Sequence, residues 1–463
     1  MKRALVFVLL SLAACAHSPV RGDIHQRGWL LVETAHISLR TDLDRDDAVH
    51  HAGELDEMWS ALAHLYGLVA PGRPPPPGRF RVIHLASCGD FERIKTDASG
   101  FVFSAPDGAD TAVTCEGRGK STLIHELAHI FNHHHFTRMP IWVNEGLATY
   151  YETLDVRGGR AALGNFPSGL SSYWNRPGWL PSMTAIRHMG RDEFYDPMRI
   201  GQNYFCAWKL VHLLNGTSDD RRRRFRVYLA ALGRGAPDDE AWQQAFAGAD
   251  LEELASDYAT YQQRERLNRL TTSYQWSRPP RPRVRALRPG EAHILWADLL
   301  TVEHDELVAQ QLDQAARIDP DTPGLLLRRI DARVRDARPP GYDGLDGAPP
   351  PALAAMESDV RRLVEQSEDP HVLNSIAWYF AMRQKPAAGL NFAIRSVQAL
   401  PACAGCWDTL GLLYFQAGKL DRAVDAQERA VALYAHGAPP EVTRRLRRFQ
   451  EALRRRPPAG SAR

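Results

Sequence analysis

The chain has 463 residues, which exceeds a single hydrophobic core, since cores usually stop growing near about 250 to 300 residues. Its formal net charge of +2, with 44% hydrophobic and 24% charged residues, is ordinary for a globular protein. Such a balance provides no basic surface that would indicate a nucleic-acid partner. We therefore expect two or three globular domains and no nucleic-acid binding.

The N-terminus has the features of a bacterial lipoprotein signal. Two basic residues open the sequence "MKRALVFVLLSLAACAHS", and the apolar run that follows is shorter than the roughly 20 residues that a membrane-spanning helix needs. Its end resembles a lipobox, which predicts a signal at residues 1–15 and a lipid on Cys15; an ordinary secretory signal is the alternative. The residue after Cys15 is Ala16 and not aspartate, which, in a Gram-negative bacterium, resembles the sorting rule for outer-membrane lipoproteins. We therefore expect the protein on the periplasmic face of the outer membrane.

Strands precede helices in the first large region. The stretches "WLLVETAHISLRTDL", "RFRVIHLA", "FVFSA" and "TAVTCEG" are rich in β-branched and aromatic residues and predict strands. "DAVHHAGELDEMWSALAHLYG" has helical spacing of its apolar residues, and helical patterns dominate from there to about residue 266. This order predicts an α+β domain over residues 24–270.

Five cysteines follow the predicted lipidation site, in a compartment that permits disulfides. Their odd number leaves at least one free. Cys403-x-x-Cys406 lacks a second cysteine pair for zinc and a thioredoxin-like strand and helix pattern, which favours structural or incidental cysteines. The five positions are Cys88, Cys115, Cys206, Cys403 and Cys406.

The stretch "STLIHELAHIFNHHH" predicts a helix that holds a metal ion. Residues four apart on a helix differ by only about 40° around the axis, so His125 and His129 project from one face. Glu126 lies beside that face, where a carboxylate can take a proton from a metal-activated water. Three polar groups on an otherwise apolar helix need a compensating cation or hydrogen bonds, which favours zinc over ordinary core histidines.

Two residues compete as the third ligand. His135, with Asn132 at a turn position, fits the extended metzincin spacing. Glu145 is the other candidate, because Pro140 interrupts the helix and allows a second helix to begin near Ile141 and return beside the first. Gly146 would permit a close approach between those two helices. His133, His134 and His135 are otherwise expected to lie at the helix C-terminus, where the dipole favours positive charge.

The stretch "PIWVNEGLATYY" resembles the gluzincin peptidases, and most closely the peptidase MA-like group, whose pattern is His-Glu-x-x-His followed by Pro-x-Trp-x-Asn-Glu-Gly-x-Ala. The resemblance implies zinc bound by His125, His129 and Glu145, with Glu126 as general base. It also implies an oxyanion-stabilising tyrosine from a later helix, for which Tyr204 is the best placed; Tyr150 and Tyr151 are rivals. The aminopeptidase Gly-x-Met-Glu-Asn signature is absent, so exopeptidase specificity does not carry over.

The C-terminal third contains a 34-residue pattern. Residues 271–290 are rich in proline and arginine and predict a linker. In residues 291–455, small and aromatic residues recur from a frame that begins at Pro370, and this pattern resembles tetratricopeptide repeats. "ILWADLLTVEHDELVAQQLDQAARIDP" is an earlier, degenerate copy, and "ARPPGYDGLDGAPPPA" is a loop insertion.

Together these patterns predict a lipid-anchored zinc metallopeptidase with a peptide or protein substrate and a possible protein partner on the helical repeats. The alternative is a catalytically degenerate peptidase fold that acts as an adaptor.

Overall fold

The computed structural model describes residues 27–69, 74–76, 79–95, 100–104, 110–116, 120–136, 139–174, 180–216, 218–263, 267–276, 281–301, 304–339, 341–401, 403–433 and 439–455. The predicted signal at residues 1–15 and the lipidation residue Cys15 lie outside these ranges. Within them, no helix combines the length and apolar character that crossing a membrane requires.

Nine strands form two sheets in the described part of the chain. In order they are β1 (Leu30–Glu33), β2 (Ile37–Thr41), β3 (Phe80–Leu85), β4 (Phe101–Ser104), β5 (Asp110–Cys115), β6 (Asp155–Arg157), β7 (Arg160–Leu163), β8 (Leu270–Ser273) and β9 (Arg283–Ala286).

Twenty α-helices account for most of the structure in the ranges given above. In order they are α1 (Arg45–Val69), α2 (Cys88–Ile94), α3 (Lys120–His135), α4 (Ile141–Tyr151), α5 (Ser171–Trp174), α6 (Met183–His188), α7 (Arg191–Phe194), α8 (Ile200–Gly216), α9 (Asp219–Gly233), α10 (Asp238–Phe246), α11 (Leu251–Ala259), α12 (Pro289–Leu300), α13 (Asp305–Ile318), α14 (Leu325–Ala337), α15 (Glu357–Gln366), α16 (Pro370–Met382), α17 (Pro386–Ala399), α18 (Ala404–Gln416), α19 (Leu420–Leu433) and α20 (Pro440–Arg454).

The larger sheet is mixed, with strand order β4-β5-β3-β2-β1-β9. Strand β3 is parallel to both β2 and β5, and Val82 lies opposite Leu39 on one side and Ala112 on the other. Parallel neighbours need long crossover connections, which α1 and α2 provide. The remaining pairs are antiparallel. This mixed sheet with its covering helices agrees with the α+β prediction.

Helices cover both faces of this sheet. Phe80 and Val82 of β3 point into a core with α1 and α3, which contribute Trp59 and Phe131 among others. The opposite face packs against α2 and α12 through a second cluster that includes Trp296. The sheet therefore sets the position of α3, which follows directly after β5 in sequence.

The predicted linker at residues 271–290 differs from the structure. Strand β8 pairs antiparallel with β7 in the smaller sheet, and β9 forms the edge of the larger sheet, where Val284 lies opposite Val32 of β1. Helix α12 then covers the second face of that sheet. The N-terminal domain consequently extends past residue 270, because strand pairing satisfies the backbone of a segment whose proline and arginine content had suggested a spacer.

The C-terminal helices repeat with a period of 34 residues. Helix α18 begins 34 residues after α16, and α19 begins 34 residues after α17. Gln384 and Gly418, at equivalent positions in the two helix-to-helix turns, both have positive φ, at 51° and 71°. Gly389 allows close packing, since an added Cβ would lie 3.0 Å from Leu413 Cδ2. This part of the chain is a series of antiparallel helical hairpins.

Candidate metal centre

Helices α3 and α4 bring the predicted ligands together. Helix α3 carries His125 and His129 one turn apart, and α4 begins at Ile141, where the sequence predicted a new helix after Pro140. Glu145 lies in the second turn of α4 and is only 2% exposed. The two helices pack against each other in the core above the sheet.

Three ligand atoms converge between these helices. Glu145 Oε2 lies 3.6 Å from His125 Nε2 and 3.4 Å from His129 Nε2. All three ligand atoms lie within 4.8 Å of one another. Ligands bound tetrahedrally to zinc at about 2.0 to 2.1 Å would be separated by about 3.3 Å. The spacing of the carboxylate oxygen from both imidazoles therefore suits a single zinc ion.

The other ring nitrogen of each histidine has its own partner. His125 Nδ1 is 3.1 Å from Glu152 Oε2, and His129 Nδ1 is 3.2 Å from Asn144 Oδ1. Asn132 Nδ2 donates to the same Asn144 oxygen at 3.0 Å. Partners that accept from Nδ1 fix the tautomer in which Nε2 carries a lone pair, which is the form that binds a metal.

The Glu145 carboxylate has one satisfied oxygen and one that faces the histidines. Oε1 accepts hydrogen bonds from the Tyr195 hydroxyl at 2.6 Å and from Asn144 Nδ2 at 3.1 Å. Oε2 is buried and has no hydrogen-bond partner among the described residues. A buried carboxylate oxygen without a donor is costly, and a cation at this position would compensate it. The chemistry and spacing of the residues thus fit a metal site.

The three candidate ligands and Glu126 perturb one another's ionisation. Burial alone would raise the pKa of the Glu145 carboxyl, but the imidazoles of His129 and His125 hold it well below its usual range. Burial opposes protonation of His125, yet the facing carboxylates of Glu145 and Glu152 raise its pKa to about 10. The pKa of His129 is also raised, because Glu145 outweighs burial. Burial raises the pKa of Glu126, and the two histidines offset this only in part.

His135, the alternative third ligand, lies elsewhere. Helix α3 continues without a break through Asn132 to His135, so there is no turn to bring this histidine back to the other two. His135 is 1% exposed, its Nδ1 is 2.9 Å from the Phe131 carbonyl oxygen, and its ring stacks on Phe131. It is a core residue of the last helical turn rather than an exposed cap. His134 instead has Nε2 3.2 Å from the Pro74 carbonyl oxygen, and the His133 side chain lies outside the described residues.

Tyr204 and Tyr195 are the tyrosines near the cluster. The ring of Tyr204, on α8, is 6.1 Å from the ring of His125, centroid to centroid. Burial and the charge of Glu145 raise the pKa of both hydroxyls, so both stay protonated and able to donate. Tyr150 and Tyr151 instead pack into the core, where Tyr150 contacts His212 and Tyr151 contacts Tyr66.

Gly146 permits a close helix approach, but to a helix other than the one expected. A Cβ at this position would lie 2.8 Å from the Ala207 carbonyl oxygen and 2.8 Å from Val211 Cγ2, both in α8. The glycine therefore brings α4 against α8, not α3. Because α8 also carries Tyr204, this contact sets the distance between Glu145 and that tyrosine.

Sequence reasoning missed the supporting residues Glu152 and Tyr195. Glu152 is the C-cap residue of α4 and follows Glu145 by seven residues, which places it about two turns later on the same side, so helical periodicity was a usable signal. Tyr195 follows the four-residue helix α7, and no local pattern distinguishes it.

No protein-family model matches the chain, and no curated protein is similar enough to count as a match. Among solved structures, the crystal structure of the P58(IPK) TPR domain at 2.5 Å shares 13% identity with this chain, over 59% of this chain and 66% of that one, with a TM-score of 0.22. That score is too low to assign a common fold. The description of the C-terminal region as helical repeats accordingly depends on its own 34-residue period.

Proposed function

We propose that this protein is a zinc-dependent hydrolase, and specifically a peptidase of the gluzincin type. The convergence of His125, His129 and Glu145 around one point is the observation that carries the proposal. Two histidines and one carboxylate form the ligand set of many catalytic zinc sites, which leave a position open for water or substrate. The match of residues 140–148 to the peptidase MA-like pattern supports the same assignment.

When bound, zinc acts as a Lewis acid and lowers the pKa of a water molecule toward about 7. Glu126, next to His125 on α3, is the residue proposed to take the proton from that water and return it to the leaving amine. Glu152 and Asn144 are proposed to keep the histidines oriented. Glu152 and Asn144 contact the Nδ1 atoms of the two histidines, and Glu126 interacts electrostatically with both of them.

Tyr204 is the proposed oxyanion donor. The hydroxyls of Tyr204 and Tyr195 both interact with Glu145. The Tyr195 hydroxyl donates to Glu145 Oε1 at 2.6 Å, which assigns Tyr195 to orienting the proposed ligand. Donors aimed at a developing negative charge commonly contribute about 10²- to 10³-fold to the rate. Tyr204→Phe is therefore expected to lower kcat by that factor with zinc retained, whereas Tyr195→Phe is expected to weaken zinc binding.

The helical hairpins are proposed to recruit the substrate or a protein partner. Stacked helix pairs expose extended surfaces suited to peptides and proteins, and the 34-residue period supports a likeness to tetratricopeptide repeats. The substrate class that follows is a peptide or protein. No feature of the composition favours a nucleic acid.

Membrane attachment through a lipid on Cys15 is proposed from the sequence "LAAC". It would place the protein in the cell envelope, on the periplasmic face of the outer membrane. Replacing Cys15 by serine is expected to abolish labelling with a fatty-acid analogue and to release the protein from membranes. Unchanged fractionation would contradict the anchor.

The function is tested by incubating wild type and Glu126→Gln with an unbiased peptide library and analysing the products by mass spectrometry. The substitution preserves the shape of the side chain and removes the base, so cleavage should fall by about 10²- to 10⁴-fold while zinc content stays the same. Equal product patterns from the two proteins would contradict the proposal. Absence of cleavage by either protein, with retained binding to a partner, would favour the adaptor.

A further inference from the structure

The Cys403-x-x-Cys406 motif forms a disulfide at the start of α18. Cys403 is the residue that caps the helix, and its sulfur accepts the backbone N–H of Cys406 at 3.1 Å. An N–H donor at a helix N-terminus stabilises a thiolate, because the helix dipole and the hydrogen bond both favour negative charge there. The Cys403 sulfur is therefore stabilised as a thiolate when it leaves a mixed disulfide.

A second helix and a histidine contribute to the same place. Helix α16 is the counterpart of α18 in the preceding 34-residue repeat, and the two helices contact each other. His371 lies in the first turn of α16, and one of its ring nitrogens lies within 4.8 Å of both cysteine sulfurs. A group that can carry a proton thus lies beside both sulfurs of a reducible bond.

The two cysteines differ in accessibility. Cys406 is fully buried, while Cys403 is only partly buried. A thiolate from solution consequently reaches the Cys403 sulfur first, which makes the buried Cys406 sulfur the first leaving group. A buried thiolate is costly, so its departure calls for a proton donor, which His371 can supply.

The other disulfide provides an internal contrast. Cys88–Cys115 joins α2 to the end of β5 and closes a loop with a sequence separation of 27 residues. Cys403–Cys406 spans a separation of only 3. Since the stabilisation from a cross-link grows with the length of the loop it closes, Cys403–Cys406 adds much less to the fold. The position of Cys403–Cys406 at a helix N-terminus and the nearby His371 favour a role in thiol–disulfide chemistry instead.

We propose that Cys403, Cys406 and His371 form a thiol–disulfide exchange site whose substrates are dithiols. One thiolate of the dithiol attacks Cys403 Sγ, the bond to Cys406 breaks, and Cys406 takes a proton from His371. The second thiol of the substrate then attacks the mixed disulfide and releases Cys403. The substrate leaves as a disulfide and two electrons pass to the cysteine pair. Cys406 keeps the proton from His371, and Cys403 leaves as a thiolate that accepts the Cys406 N–H. The proton of the second substrate thiol returns to His371, and that of the attacking thiolate has gone to solvent.

The test uses the native full-length protein in a glutathione redox buffer, with time-resolved alkylation and mass spectrometry of the two cysteine peptides. Cys403–Cys406 should exchange at least about 10-fold faster than Cys88–Cys115. His371→Asn should slow that exchange by at least about 10-fold at neutral pH and leave the thermal unfolding temperature unchanged. Glu126→Gln should leave the exchange rate unchanged, so this result is independent of peptidase activity.

A trapping variant makes the order of the steps visible. Cys406→Ser should accumulate a mixed disulfide between Cys403 and glutathione, whereas Cys403→Ser should accumulate much less through the buried Cys406. Equal rates for the two native disulfides, or no reaction at Cys403–Cys406 before the protein unfolds, would overturn the proposal. Uptake of a second zinc equivalent by the reduced protein, beyond the one that the oxidised protein binds, with loss of exchange, would also overturn it, in favour of a metal site at His371, Cys403 and Cys406.

Discussion

Two buried carboxylates, one in each half of the molecule, have opposite surroundings. Asp408 in the helical repeats is 7% exposed, and both of its oxygens have donors from the chain. Arg445 forms an ion pair with Oδ2, and Gln427 Nε2 donates to Oδ1 at 2.5 Å. Glu145 in the N-terminal domain is 2% exposed, yet its Oε2 faces two imidazoles and has no hydrogen-bond donor among the described residues.

The difference separates a structural carboxylate from a candidate metal ligand. The repeats supply their own cation, so Asp408 is compensated when the chain folds. The N-terminal domain arranges Tyr195 and Asn144 to fix one oxygen of Glu145. The other oxygen faces the Nε2 atoms of His125 and His129, at 3.6 and 3.4 Å, which are themselves candidate metal ligands. We infer that burial of a charge alone does not mark a functional site; the unsatisfied atom beside other potential ligands does.

The largest expected effect concerns whether the two regions are separable. A chain that ends at residue 270 would lack β9 and α12, which form one edge and cover one face of the main sheet. It should be insoluble or molten, with a lost near-UV circular dichroism signal. A chain that ends at Asp319 keeps both elements together with α13, and should fold and bind zinc. A folded, zinc-binding protein from the shorter chain would contradict this boundary.

The next prediction exchanges the two carboxylates for alanine. Glu145→Ala removes a proposed ligand. Zinc affinity should therefore fall by more than about 100-fold, which is the largest loss typical of removing a residue that only hydrogen-bonds to a ligand. Asp408→Ala leaves Arg445 buried without its partner, so the free energy of unfolding should fall by about 3 to 5 kcal/mol with zinc affinity unchanged. Competition with a chromogenic chelator and urea unfolding measure the two quantities. The comparison would be contradicted if Asp408→Ala lowered zinc affinity, or if Glu145→Ala lowered the free energy of unfolding and left zinc affinity unchanged.

His135→Ala is the control for the third ligand. It should keep zinc at one equivalent but lower stability, because it empties a buried space beside Phe131. Loss of zinc in this variant, with retention in Glu145→Ala, would reverse the assignment of the third ligand.

A smaller effect is expected from the partner of His125. Glu152→Gln keeps the size of the side chain but removes the charge that faces His125 Nδ1. Zinc affinity should fall by about 10- to 100-fold, as is typical for a lost supporting carboxylate. Glu57→Gln, on α1, is the control, because it makes the same substitution at a glutamate outside the candidate metal group and should leave zinc affinity unchanged. An unchanged affinity in Glu152→Gln would show that this contact does not orient the histidine.

The smallest effect tests the helix contact beneath the cluster. Gly146→Ala would place a Cβ 2.8 Å from the Ala207 carbonyl oxygen, and backbone atoms there yield little. It should destabilise the protein by about 1 to 3 kcal/mol. Gly53→Ala in α1 has no atom within 4 Å and should instead stabilise slightly, by about 0.5 to 1 kcal/mol. Thermal unfolding compares the two, and a neutral Gly146→Ala would contradict the close approach of α4 and α8.

The sequence predicted local features well and distant ones poorly. The strands around Val82 and Ala112, the new helix at Ile141 and the 34-residue period all depend on patterns within a few tens of residues, and the structure contains them. The linker prediction failed because β9 pairs with β1 from far along the chain, and composition carries no information about that partner. For the same reason, the sequence did not reveal that Gly146 approaches α8 or that Tyr195 reaches Glu145.

Zinc K-edge absorption spectroscopy of the oxidised protein tests the central claim most directly, because the described residues contain two candidate metal groups with different ligand atoms. These are His125, His129 and Glu145, and His371 with Cys403 and Cys406. We predict one zinc per chain with nitrogen and oxygen ligands only, at about 2.0 to 2.1 Å. A shell of sulfur at about 2.3 Å, or a spectrum and zinc content that are unchanged in His129→Ala, would contradict the account.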